Sequence, residues 1–181
     1  LINLMFTSIY IILISYLIGS ISGGIIIGKI KNVDVTSKGS KASGATNVLR
    51  TIGFVSALIV LVIDVYKGYF SVIFVTHFFN CDSLINQTLA GGASILGHVY
   101  PLYFRFKGGK GVGTALGTLL AFHGFSNTIL IAFSTWILSV IITGFVGLSS
   151  ILASLSIPII YFSNNDTQYE ILDGEIYFTF T

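Results

Sequence analysis

Long runs of apolar residues fill most of the chain, and two short basic segments interrupt them. Residues 4–28 and residues 83–104 contain no acidic residue, lysine or arginine. Residues 54–79 are predominantly apolar. Each run reaches about the 20 residues that an α-helix needs to cross the hydrocarbon core of a bilayer. The runs are continuous and lack the alternation of a membrane β-barrel. The pattern therefore predicts three membrane-crossing helices before Arg105.

Residues 111–165 add further crossings. This stretch contains no acidic residue, lysine or arginine, and it holds either two full crossings or three shorter ones. Candidate breaks lie at 123–127 and 143–147, where glycine and polar residues interrupt the apolar run. The predicted fold class is all-α, a polytopic membrane helix bundle of about six to seven transmembrane helices; three crossings after residue 111 would make six.

Composition supports the same class. The 181 residues are 54% hydrophobic and 9% charged, whereas a soluble domain carries about 25% charged residues. No hydrophilic segment is long enough for a second domain, so we predict one integral membrane domain over residues 1–181, with an atypical polar and acidic tail at 164–181. The apolar N-terminal run lacks a basic segment and a small-residue cleavage site, which predicts a retained helix and not a signal peptide.

Residue types give no indication of a metal or cofactor, and none is predicted. The single Cys81 excludes an internal disulfide and a cysteine-based zinc site. The three histidines, His77, His98 and His123, lack the spacing of two ligands on one helix face.

The basic residues indicate which side of the membrane the loops occupy. All lysines and arginines lie between Lys29 and Lys110, and all but Lys67 lie in the segments 29–50 and 105–110. The positive-inside rule predicts that both segments are cytoplasmic. Two crossings separate them, so the two assignments agree. The N-terminus is then outside, and the tail is outside if three crossings follow residue 111 and inside if two do.

The first basic segment has the residue types of an anion site. Ser40, Ser43, Thr46 and Asn47 offer side-chain donors, and the nearby cations are Lys38, Lys41 and Arg50. Glycines at 39 and 44 allow backbone amides to approach a ligand closely. Such a set suits a phosphate or a carboxylate. The alternative is a solvated cytoplasmic loop, which explains the lysines but not the run from Gly44 to Arg50.

The second basic segment, residues 105–114, is rich in glycine around Lys107 and Lys110. It is not a P-loop, because Gly109-Lys110 is followed by glycine and not by serine or threonine. A helix that starts near Val112 would direct its positive N-terminal end toward these glycines. We predict a second anion cradle, with a flexible cytoplasmic turn as the alternative.

Three ionisable residues lie within or at the end of predicted crossings. Asp64 and Lys67 are three residues apart and therefore share a helix face. Charges inside a membrane segment usually face a partner or a wet cavity, so they form either a mutually neutralising structural pair or a contact with substrate. His98, close before the second basic segment, is either structural or a catalytic or phosphate-contacting residue.

Several motifs in a fixed order resemble the bacterial membrane acyltransferases that move a fatty acyl group from acyl phosphate to glycerol 3-phosphate. The resemblance covers roughly residues 10–160. The motifs that carry it are Gly19-Ser-Ile, Gly39-Ser, Gly44-Ala-Thr-Asn-Val-Leu-Arg50, Asp64-Val-Tyr-Lys-Gly68, and Gly97-His-Val-Tyr-Pro101 through Phe106-Lys-Gly-Gly-Lys-Gly111.

The resemblance implies a bundle of about seven helices in the bacterial cell membrane, with its active site at the cytoplasmic face. It implies acyl phosphate and glycerol 3-phosphate as substrates, surrounding membrane lipid, lysophosphatidic acid as product, and no nucleic acid. The implied catalytic residues are Ser40, Thr46, Asn47 and His98. The implied phosphate-binding residues are Arg50, Lys107, Gly108, Gly109 and Lys110, to which the charge pair adds Lys67.

Direct transfer is the expected mechanism. The 1-hydroxyl attacks the acyl-phosphate carbonyl, and loop amides with Asn47 stabilise the developing oxyanion. The hydroxyl proton passes either to His98 or to the leaving phosphate.

The chain also departs from the family pattern. Lys41 and Ala42 replace the Gly-Asn that usually follows Gly-Ser, Ser22 replaces a proline, and a later basic motif appears as Gly144-Phe-Val-Gly-Leu148. The terminal His, Asn and Arg motif is missing, and no basic residue follows Lys110. The alternatives to an active acyltransferase are therefore an inactive truncated paralogue and a membrane anion carrier or channel.

Overall fold

The computed structural model describes residues 2–80, 83–122, 126–163, 168–172 and 175–179. It divides into two compact units, residues 1–122 and 123–181. The expectation of a single domain over residues 1–181 stays a prediction.

The first unit is a helical bundle built around one long helix. Its elements are α1 (Ile2–Gly19), α2 (Gly23–Ile30), α3 (Ala45–Thr51), α4 (Phe54–Phe78), α5 (Leu84–Val99), a short 3-10 turn (Leu102–Phe104) and α6 (Val112–Ala121). Helix α4 packs against α1, α2, α3, α5 and α6. Among the described residues, Phe6–Ile30 and Phe54–Phe78 are long and apolar enough to cross a membrane.

The first predicted crossing is not one continuous helix. It breaks at residues 20–22 between α1 and α2, and the Ser22 hydroxyl accepts the amide of Ile25 to cap the second helix. This hydroxyl satisfies one of the amides that the start of a helix leaves without a partner. The sequence on both sides of the break is equally apolar, so the apolar run predicts the crossing but not the break within it.

Glycines set the close approach of the helices. A Cβ atom at Gly19 would overlap the backbone of Ser94 on α5, and one at Gly97 would overlap the backbone of Tyr16 on α1. Helices α4 and α6 meet in the same way through Gly68 and Gly117. Small residues of this kind let membrane helices pack backbone to backbone.

The outer surface of the first unit is apolar. Phe54, Val55 and Ile85 are 70–73% exposed. Four aromatic rings of α4, from Tyr66, Phe70, Phe74 and Phe78, stack in sequence with centroids 4.7–5.8 Å apart. Soluble monomers rarely expose large contiguous apolar patches, and a surface of this kind suits contact with lipid tails.

The second unit contains α7 (Ser126–Thr143), α8 (Val146–Ser163) and two short antiparallel strands, β1 (Gln168–Leu172) and β2 (Glu175–Thr179). The indole of Trp136 donates to the hydroxyl of Ser150, which joins the two helices. Residues 112–163 thus contain three helices, α6, α7 and α8. This division agrees with the predicted alternative of three shorter segments and not with that of two long ones. The break at 143–147 is confirmed, whereas 123–125 lie outside the described residues. The strands in the tail were not predicted.

Candidate active site

The first basic segment is organised by Asn47, which is 1% exposed. Its Nδ2 lies 2.8 Å from the carbonyl oxygen of Val35, 2.9 Å from that of Ala42 and 3.1 Å from that of Lys38. Its Oδ1 accepts the amide of Ser40 at 2.9 Å. One side chain therefore bonds to the backbone at four points of the loop that precedes α3.

Two backbone positions let the loop wrap around this amide. Gly39 and Lys41 both have φ = 59°, in the left-handed region that favours glycine. A Cβ atom at Gly39 would also overlap Oδ1 of Asn47. The wrapped loop leaves Ser40, Lys41 and Arg50 exposed and Thr46 half-buried. Four side chains that suit an anion thus lie at the surface of the loop, while the side chain of Asn47 faces inward.

The second basic segment folds back over the end of α5. The amide of Gly109 donates to the carbonyl oxygen of His98 at 3.2 Å. A Cβ atom at Gly109 would overlap Nε2 of His98, and one at Gly108 would overlap the carbonyl oxygens of His98 and Val99. Only glycine fits at these two positions without displacing the histidine or the backbone beside it.

Helix α6 begins at Val112, as predicted, after Gly111 with φ = 78°. Lys107 and Lys110 are exposed on either side of the two packed glycines. The segment therefore presents two cations and a glycine backbone next to the start of a helix, whose free amides favour an anion.

A backbone hydrogen bond joins the two basic segments. The amide of Ser43 donates to the carbonyl oxygen of Gly108 at 3.2 Å. Ser43 is 1% exposed, and its hydroxyl has no hydrogen-bond partner among the described residues. Ser43 was predicted only as one of several donors in the first segment, because a linear motif does not show which loop residue touches the other loop.

Behind the loops lies a buried network of three ionisable side chains. Nζ of Lys67 lies 2.9 Å from Oδ1 of Asp64 and 2.9 Å from Nδ1 of His98. It also donates to the carbonyl oxygen of Ile21, at the break between α1 and α2, at 2.7 Å. All three ionisable residues are at most 5% exposed. The predicted shared face of Asp64 and Lys67 is confirmed, and the partnership with His98 and Ile21 is new.

The predicted site residues therefore fall into two layers. Asn47, Lys67 and His98 are buried, and each is bonded to loop or helix groups. Exposed or half-buried around them are Ser40, Thr46, Arg50, Lys107, Gly108, Gly109 and Lys110. The hydrogen bond from Ser43 to Gly108 and the packing of Gly109 on His98 connect both loops to the buried network.

An open groove of about 690 Å³ lies beside this site and not at its centre. Its lining includes Lys29, Asp34, Phe104, Arg105 and Lys107. The hydroxyl and the amide of Thr36 donate to the Asp34 carboxylate at 2.7 and 2.9 Å, and these bonds hold the pKa of Asp34 below its ordinary value. The groove shares only Lys107 with the predicted site residues.

Comparisons with known proteins identify the family. The family model described as glycerol-3-phosphate acyltransferase matches residues 9–180. A glycerol-3-phosphate acyltransferase of Prochlorococcus marinus strain MIT 9312 is 42% identical over 156 residues, which cover 86% of this chain and 77% of that protein. One of Aquifex aeolicus strain VF5 is 39% identical over 149 residues, which cover 82% of this chain and 76% of that protein.

Solved structures agree with the sequence relatives. The crystal structure of PlsY (YgiH), an integral membrane glycerol 3-phosphate acyltransferase, in its glycerol 3-phosphate form is 37% identical, with a TM-score of 0.78 over 87% of this chain and 78% of that chain. Its lysophosphatidic acid form gives a TM-score of 0.76, covering 87% of this chain and 77% of that one. The predicted helical membrane fold is confirmed. The chain belongs to the glycerol-3-phosphate acyltransferase family.

Proposed function

We propose that this chain transfers a fatty acyl group from acyl phosphate to the 1-hydroxyl of glycerol 3-phosphate, releasing lysophosphatidic acid and phosphate. Acyl transfer to glycerol 3-phosphate is the activity for which its relatives are named. The acyl phosphate donor, the position of the acceptor hydroxyl and the residue roles are the parts proposed here. We further propose that the protein lies in the bacterial cell membrane, with both basic loops on the cytoplasmic side.

The observation that carries the proposal is the junction of the two basic loops. Both substrates carry a phosphate, and two anions repel each other in solution. The Ser43–Gly108 hydrogen bond brings two cationic loops together, so each can hold one phosphate next to the other. Holding two reactants in contact can lower the activation barrier by about 7–11 kcal/mol when the reacting atoms are well aligned.

The residues divide between the two substrates by loop. Lys107, Lys110 and the backbone of Gly108 and Gly109 bind one phosphate. Arg50 binds the other. Ser40 and Thr46, on the same loop as Arg50, donate hydrogen bonds to the acyl phosphate. Asn47 acts by holding that loop in shape, because both of its amide hydrogens face carbonyl oxygens of its own loop.

The reaction needs no covalent enzyme intermediate. The 1-hydroxyl oxygen bonds to the acyl carbonyl carbon, and the negative charge that develops on the carbonyl oxygen is stabilised by loop amides. The bond from that carbon to the phosphate oxygen then breaks, and phosphate leaves with its electron pair. The hydroxyl proton passes to His98 or to the released phosphate.

The test uses the purified protein in lipid with labelled glycerol 3-phosphate and either palmitoyl phosphate or palmitoyl-CoA. We expect labelled lysophosphatidic acid from palmitoyl phosphate and none from palmitoyl-CoA. Equal product from both donors would contradict the proposed donor. No product from either donor, with the protein shown to be folded, would identify the chain as an inactive paralogue.

Charge-removing variants test the binding roles. Replacing Lys107 or Lys110 with glutamine removes a charge-assisted hydrogen bond to phosphate, which contributes about 1.5–3 kcal/mol, so we expect KM for a substrate to rise roughly 10- to 100-fold. Lys31→Gln is the matched control, because Lys31 is exposed at the end of α2 and is not among the residues proposed to bind phosphate. Equal effects of all three variants would show only a loss of general electrostatic attraction.

A further inference from the structure

The groove beside the candidate active site has a lining of both charged and apolar side chains. It lies between the end of α2, with the loop that follows, and the 3-10 turn after α5, and its volume is about 690 Å³. Its apolar wall includes Ile25, Val33 and Phe104. The volume is typical of a site for a small molecule and is larger than a free phosphate ion needs. The lining therefore suits a ligand that has both a charged group and an apolar part.

The charged part of the lining is positive. Among the described residues that line the groove, the cations are Lys29, Arg105 and Lys107, and the single carboxylate is that of Asp34. The hydrogen bonds from Thr36 hold the pKa of Asp34 below its ordinary value, so this carboxylate is ionised at neutral pH. Three positive charges and one negative charge leave a net charge of +2. This charge matches a phosphate monoester, which carries about −1.5 to −2 at pH 7.

Two of these cations are held in place by the groups around them. Nζ of Lys29 lies 5.7 Å from the ring centroid of Phe104, in a cation–π contact that joins α2 to the 3-10 turn. Arg105 ends this turn with φ = 53° and ψ = 39°, a left-handed conformation that residues other than glycine adopt uncommonly. The amide of Phe106, the next residue, donates to the carbonyl oxygen of Pro101 at 3.0 Å and closes the turn. Strained backbone of this kind clusters at ligand-binding and active sites, which points to a role for Arg105.

The surface next to the groove favours a lipid over a free ion. Large apolar side chains adjoin it on α2 and on the 3-10 turn, where Ile30 is 66% exposed, Leu102 47% and Tyr103 55%. Cationic side chains at the end of an apolar helix extend toward the membrane surface, where they attract anionic lipid headgroups. A headgroup in the groove can therefore keep its acyl chains against the neighbouring apolar surface.

We propose that this groove binds the phosphate monoester headgroup of a membrane lipid, with Lys29 and Arg105 as ligands of its own and Lys107 shared with the candidate active site. The inference goes beyond the proposed function, because Lys29 and Arg105 are outside the residues assigned to acyl transfer and because binding needs no turnover. An inactive chain would refute the proposed function and leave this lipid site standing.

Calorimetric titration of the purified protein in detergent tests the site, with dihexanoyl phosphatidic acid as a soluble lipid phosphate monoester. We expect Lys29→Gln and Arg105→Gln each to raise Kd roughly 10- to 100-fold, as for the loss of a charge-assisted hydrogen bond. Lys31→Gln is the matched control, because Lys31 is exposed at the same end of α2 and is not among the lining residues of the groove. Wild-type affinity in both groove variants, or an equal loss in Lys31→Gln, would overturn the site.

Two further ligands distinguish a lipid headgroup from a free phosphate. Dihexanoyl phosphatidylcholine has the same chains on a zwitterionic headgroup, and it should bind roughly tenfold or more weakly because it lacks the charge match. Inorganic phosphate has the charge without the chains, and it should also bind roughly tenfold or more weakly, the contribution of about two buried methylene groups. Equal affinity for phosphatidylcholine would overturn the charge match, and equal affinity for inorganic phosphate would overturn the lipid as the ligand.

Two more variants separate lost binding from a damaged fold. Arg105→Gly removes the cation but suits the left-handed backbone, so it should unfold no earlier than the wild type and still bind as weakly as Arg105→Gln. Asp34→Asn removes the one negative charge and keeps an oxygen for the Thr36 bonds, so Kd should fall roughly two- to fivefold, as for an exposed charge pair. Wild-type affinity in Arg105→Gly, or weaker binding in Asp34→Asn, would overturn the assignment.

Discussion

Replacing Asn47 with alanine should open the first basic loop without unfolding the helix bundle. The side chain forms four hydrogen bonds with the loop backbone, of which the bond to the Val35 carbonyl is buried and the other three are partly buried. The two amide hydrogens are shared among three carbonyl oxygens, so with the accepted amide the side chain supplies about three full bonds, and at about 1 kcal/mol each the loop loses about 3 kcal/mol of local stability. Since 1.4 kcal/mol corresponds to a tenfold change, the open fraction should rise about 10²-fold, and by less if water replaces the lost partners.

Trypsin provides the assay, because Lys38 and Lys41 are exposed in this loop. Cleavage after these lysines follows the open population when closing is fast relative to cutting, so we expect its rate to rise by a similar factor. Asn47→Asp should be as susceptible as the alanine variant, since it sets a carboxylate oxygen against three carbonyl oxygens.

Ser40→Ala is the matched control for this experiment. The bond from Ser40 to Asn47 comes from the backbone amide, which alanine retains. Its cleavage rate should equal that of the wild type. Wild-type resistance in Asn47→Ala would refute the organising role and return Asn47 to the list of groups free to contact substrate.

Two further predictions concern glycines. Gly109→Ala should reduce kcat roughly 10²-fold, because the added Cβ displaces the His98 ring and a misplacement of about 1 Å can cost that much. Gly92→Ala is the control and should leave kcat unchanged, because its Cβ meets no atom within 4 Å. Equal rates for the two variants would contradict the packing argument. Gly97→Ala should destabilise the protein by about 1–3 kcal/mol through overpacking between α1 and α5, seen as a lower midpoint of thermal unfolding in detergent than that of Gly92→Ala, and an unchanged midpoint would refute it.

The elements that the sequence predicted correctly depend on short-range pattern. The start of α6 at Val112 follows from the glycine-rich segment that precedes it, and the shared face of Asp64 and Lys67 follows from their spacing along a helix. The break between α7 and α8 falls at the predicted interruption of an apolar run. Each of these properties is determined within a few residues of the chain.

The properties that the sequence did not predict depend on residues far apart. Lys67 meets the backbone of Ile21 across 46 positions and His98 across 31, and no local pattern encodes such pairs. Motif matching identified Asn47 but not the direction of its side chain, because a motif does not distinguish a ligand contact from a contact with its own loop. The roles of the individual site residues stay predictions until the variants are measured.

The hydrogen bond from Ser43 to Gly108 has a thermodynamic consequence for the order of binding. A substrate that orders one loop also restrains the other, and ordering a flexible segment costs conformational entropy that the second substrate then need not overcome. Such coupling is reciprocal, since each ligand must change the affinity of the other by the same factor. The two substrates should therefore bind with positive cooperativity, and each should lower the dissociation constant of its partner by an equal ratio.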